Sequence, residues 1–113
     1  MRIINILIPF LVAAAVSGCA PTREEFSSAH TLLEGSPRIR TERISDCIKK
    51  PRTEKWIKDI SDLTNAPKGK EKIVLCNRLY NGLATGRLTY EDIKSAYGTD
   101  PLAPNLIRVL QGR

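Results

Sequence analysis

"EKIVLCNRLYNGLATGRLTYEDI", residues 71–93, decides the class of fold. Ile73, Cys76, Tyr80 and Leu83 recur at the three- and four-residue steps that line one face of a helix, predicting a helix from about Glu71 to Ala84. Gly86 is placed to end it in a left-handed cap, a conformation glycine adopts without a Cβ penalty. Thr89 has the hydroxyl of an N-cap residue, and Glu91 and Asp92 occupy the following turn, where carboxylates meet the positive end of the helix dipole. Ile93 and Tyr97 then face inward, and Gly98 stops the segment.

Working outward, the same period continues on both sides. "NAPKGK", residues 65–70, is a turn. Before it, Trp56, Ile57, Ile60 and Leu63 share the face of a helix that starts near Arg52. Pro51 separates that helix from an earlier one carrying Ile44, Cys47 and Ile48, because proline lacks the N–H that would continue the ladder. Lys49 and Lys50 suit the negative end of the earlier helix. After residue 98, "DPLAPN" makes a break before a last short helix, Leu106 to Leu110. No apolar–polar alternation of useful length occurs, and there is no internal repeat. Residues 41–113 are therefore predicted to be all-α, a small bundle of four to five short helices. Residues 79–98 are similar to the helix–Gly–Leu–Thr–acidic–helix pattern of short C-terminal helical-hairpin domains in bacterial proteins. That likeness consists of capping chemistry, and no function is carried from it.

Residues 20–40, "APTREEFSSAHTLLEGSPRIR", mix Pro, Ser, Gly and charge with few apolar side chains. They are predicted to be a flexible tether, with at most a transient helical turn at Thr31–Glu34. A flexible chain of that length has an end-to-end distance of about 25 Å.

The first residues have another use. Arg2 precedes an apolar run from Ile3 to Val16, interrupted by Asn5 and Pro9. The run is shorter than the roughly 18 apolar residues of a membrane-spanning helix. A charged start, a short apolar core and a small-residue exit make the pattern of a secretory signal. It closes in Val16-Ser17-Gly18-Cys19, which resembles the lipobox of bacterial lipoproteins, with Val16 where that family more often has Leu. The resemblance implies removal of residues 1–18 and acylation of Cys19, which becomes the N-terminus of a tether over 19–40. Several acyl chains, at about 0.8 kcal/mol per buried methylene, would hold the protein on its membrane. Ala20, rather than Asp, after the cysteine implies the outer membrane, facing the periplasm, rather than the inner one.

The chain has 18 Lys and Arg against 12 Asp and Glu. Without Arg2 the balance is 17 against 12, a net charge of +5. That suits a neighbour such as anionic phospholipid or cell-wall polymer, although scattered basic residues also serve as solvated helix faces. A nucleic-acid partner is disfavoured by the export signal and by the lack of a recognisable binding motif. With Cys19 taken by lipid, Cys47 and Cys76 remain, and in an oxidising compartment they are expected to form one disulfide. Closing a loop of about 30 residues stabilises a fold by roughly 3–4 kcal/mol.

Reactive constellations are sparse. His30 is the single histidine and falls in the expected tether, so neither a metal site nor a Ser–His–Asp arrangement is expected. Glu91 and Asp92 read as dipole partners rather than as facing carboxylates of a glycosidase, and Glu24 and Glu25 lie in the tether. Trp56 and Tyr80 are expected to be core anchors with polar tips at the surface. Arg78, Arg87 and Tyr90 are candidate partner-contact positions. The expectation is a non-enzymatic envelope lipoprotein with a structural or accessory interaction role. It would have no cofactor beyond the lipid on Cys19, no metal and no small-molecule substrate; its partner would be an envelope protein or the cell wall. The alternative is an inhibitor, immunity or exclusion factor acting on a periplasmic hydrolase or a conjugation apparatus.

Overall fold

The computed structural model describes residues 20–99 and 101–113, in which all regular structure is helical. Six helices follow one another: α1 Arg23–Gly35, α2 Pro37–Lys49, α3 Glu54–Thr64, α4 Glu71–Ala84, α5 Tyr90–Lys94 and α6 Pro104–Leu110. The expected signal segment, residues 1–18, and Cys19 lie outside the described residues.

Local chemistry sets most boundaries. Thr22 opens α1 in a capping box: its hydroxyl accepts from the Glu25 amide, and the Glu25 carboxylate accepts from the Thr22 amide. Ser36 ends α1 and begins α2, its hydroxyl accepting from the Ile39 amide, with Pro37 at the first helical position where its missing N–H costs nothing. Thr53 caps α3, which ends at Asn65 in the left-handed conformation. No side chain caps the start of α4; the Glu71 carboxylate instead folds back to accept from the Gly69 amide, which closes the 65–70 turn. Gly86, at φ +80°, terminates the following turn as expected. Thr89 and Asp92 form a second capping box at α5.

The central element is α4, against which α1, α2, α3 and α6 all pack. Leu75, Cys76, Leu79, Tyr80, Leu83 and Ala84 from α4 meet Leu33, Cys47, Trp56, Ile60, Leu106, Val109 and Leu110 in one buried cluster, completed by Leu88, Ile93 and Ala96. Gly82 lets two neighbours come close: a Cβ there would lie 3.0 Å from Leu88 Cδ1 and 3.0 Å from Val109 Cγ1. Cys47 and Cys76 are bonded to each other across α2 and α4, with Cα atoms 5.9 Å apart.

The all-α class and the disulfide clasp agree with the sequence reading, but residues 20–40 do not form a tether. They hold all of α1 and the start of α2. The reason is tertiary rather than local: Leu33 is only 2 % exposed in the cluster, with Phe26, Ala29 and Ile39 packed around it. Among the described residues the packed helices therefore extend back to Arg23, ahead of the expected boundary at 41; the part from 41 onward holds five helices, as expected, the first of them beginning at Pro37. Two smaller departures follow the same logic. Ile73, on the expected inner face of α4, is 42 % exposed, because the helix turns Leu75 and Leu79 inward instead. And α5 ends at Lys94, four residues before Gly98, where the Ser95 hydroxyl donates to the Asp92 carbonyl and accepts from the Ala103 amide to redirect the chain towards α6.

Candidate functional site

Three places collect polar or accessible side chains. The first is the junction where the chain enters the fold. Pro21 is buried, and its carbonyl accepts a 2.7 Å hydrogen bond from the Tyr90 hydroxyl. The Arg23 guanidinium lies 4.5 Å from the centre of the Tyr90 ring and pairs with Glu91 at 2.6 Å; Phe26 meets the same ring edge-on at 6.0 Å. Beside this junction is an open cleft of about 510 Å³, lined by Ala20, Glu91, Lys94, Tyr97, Pro101 and Ala103, among others. The Tyr97 hydroxyl is buried with no hydrogen-bond partner. Burial, with smaller contributions from Tyr80 and Glu25, raises its pKa above the ordinary tyrosine range.

The second is a groove of about 300 Å³ along α4, with Asn77, Arg78, Asn81, Thr85, Arg87 and Val109 among the residues on its walls. Its side chains are largely committed to the fold. The Arg78 guanidinium donates to the carbonyls of Thr64 at 2.9 Å and Leu110 at 2.8 Å, meeting the unsatisfied C-terminal ends of α3 and α6 together. Asn77 donates to the Ile73 carbonyl, Thr85 to that of Asn81, and Arg87 to that of Arg113.

The third is the patch around Trp56. Arg52 lies 4.7 Å over its ring. The indole is 4 % exposed, and its N–H is buried without a hydrogen-bond partner. Tyr80 is 1 % exposed, and burial pushes its hydroxyl above the usual range. Both are core anchors as expected, but their polar tips are buried rather than at the surface.

The three candidate contact residues are therefore dispersed. Tyr90 secures the chain entry, Arg78 ties two helix ends, and exposed Arg87 reaches the C-terminus. His30, expected in a solvated tether, is half-buried with Nδ1 2.7 Å from the Leu83 carbonyl. A carbonyl only accepts, so Nδ1 carries a hydrogen. Asp92 is a structural hub: its carboxylate accepts from the Thr89 amide and from Asn105 Nδ2, the latter at 2.7 Å. Glu91 is the partner of Arg23, and Glu24 and Glu25 belong to the first turn of α1. Among the described residues no group of three or more His, Cys, Asp or Glu is placed to hold a metal ion, and no helix is long and apolar enough to cross a membrane. The chain-entry junction escaped the sequence reading, although Thr22 followed by Glu25 three positions on was a visible capping-box signal. Comparison of the chain with family models, curated proteins and solved structures returns no match.

Proposed function

We propose that this chain is a small lipoprotein of the bacterial envelope, acylated on Cys19 and cut before it, with a non-enzymatic accessory role in contact with a larger envelope protein or the cell wall. The observation that carries the reading is the amino-acid sequence of residues 1–19: Arg2, the apolar run Ile3–Val16, and Val16-Ser17-Gly18-Cys19. The disulfide supports it. Of three cysteines, Cys47 and Cys76 are bonded to each other, a state suited to an oxidising compartment, and Cys19 remains for the lipid. Ala20 after the cysteine favours the outer membrane on its periplasmic side.

Affinity capture of the acylated protein from crosslinked cells tests this role. A reproducible envelope-protein or wall-polymer partner is expected; recovery of the acylated protein without either would contradict it.

A further inference from the structure

We propose that the partner of the face around Ala20 is the lipid surface itself, so that the domain lies flush on the headgroups in one orientation. This rests on the lipoprotein reading, and it follows from where the fold begins. One peptide unit, about 3.8 Å, separates the α-carbon of residue 19 from that of Ala20. Ala20 precedes proline, so its backbone is confined to extended conformations. Pro21 is already buried, its carbonyl held by Tyr90, and Thr22 has both its amide and its hydroxyl engaged in the capping box. Only one peptide unit and Ala20 therefore separate position 19 from the rigid body.

An acylated cysteine places its backbone at the level of the headgroups, a layer about 5–8 Å thick on each side of the hydrocarbon. Ala20 must then sit at that depth, together with the cleft it helps to line. The exposed side chain of Lys94 is on the rim of that cleft, where an ammonium meets lipid phosphates at close range. The nearby Glu91 carboxylate is offset by Arg23 at 2.6 Å, which reduces its repulsion from an anionic surface. The flexible tether expected from the sequence would have given a reach of about 25 Å and no fixed orientation; the observed entry gives neither.

The experiment uses the full acylated protein in vesicles of phosphatidylethanolamine and phosphatidylglycerol. The photo-crosslinking residue p-benzoylphenylalanine replaces Lys94 or Pro101 beside the cleft, or, as controls, Lys68 in the 65–70 turn or Asn81 on the α4 groove. Lipid adducts are counted by mass after irradiation. The expected result is severalfold more lipid adduct at 94 and 101 than at 68 and 81, with the difference abolished by a Gly/Ser linker of about 20 residues inserted between Ala20 and Pro21. Equal labelling at the four positions in the acylated protein overturns the orientation, and so does a preference that survives the linker. An unacylated chain is a different failure: it removes the lipoprotein reading, and the orientation with it.

Discussion

Tyr97 lines the wall of the entry cleft, and its hydroxyl is buried and lacks a hydrogen-bond partner among the described residues. An unsatisfied buried donor costs about 1–3 kcal/mol, so Tyr97→Phe is expected to hold or raise stability near neutral pH, read as the urea midpoint. The same burial has a sign in alkali. The pKa values of Tyr80 and Tyr97 are raised in the fold, chiefly by desolvation. The unfolded chain releases these protons near pH 10 while the folded one keeps them, so their contribution is intact below that pH and is lost above it. The midpoint should begin to fall near pH 10 and go on falling as the pH rises towards the raised folded values, and fall less in Tyr97→Phe. Gly82 and Gly35 make a second contrast. A methyl at Gly82 presses on Leu88 and Val109, whereas one at Gly35 meets nothing within 4 Å. Gly82→Ala is expected to destabilise by about 1–3 kcal/mol despite its better helix propensity. Gly35→Ala should stabilise by up to about 1 kcal/mol. Thermal melts of the two variants against the parent check both signs.

Among the elements, α4 was legible almost to the residue, because its apolar spacing, the Gly86 stop and the Thr89 restart agree with one another. The pairing of Cys47 with Cys76 was legible too, from the cysteine count and the expected oxidising compartment. Where the sequence reading failed, tertiary contact had overridden a weak local signal. In α1 a single fully buried leucine, Leu33, and a histidine held by a carbonyl on α4 secure a helix whose composition resembles a linker. Arg78 shows the converse: a long basic side chain on a helix reads as surface, and only the fold reveals the two carbonyls it joins. Arg78→Ala leaves the ends of α3 and α6 without that link and is expected to cost about 2 kcal/mol, the loss of charge-assisted hydrogen bonds. A fall in the urea midpoint of the oxidised protein checks it; an unchanged midpoint would show the link to be dispensable.

For the molecule as a whole, the question is where the folded body starts. If α1 is integral, Leu33→Ala should cost about 2–5 kcal/mol, and a chain beginning at residue 41 should lose cooperative unfolding by circular dichroism. A dispensable tether would leave both unaffected. Under the lipoprotein proposal the placement of this body would depend on Cys19, and that proposal draws on the residues before Cys19 rather than on any feature of the fold. The most direct test is the intact mass, without reduction, of the chain purified from the cell envelope. The expected species starts at residue 19, carries acyl additions on Cys19, and is two hydrogens lighter than its reduced sequence because Cys47 and Cys76 are joined. An unacylated chain of all 113 residues, with its cysteines free, would contradict the anchor and the compartment together.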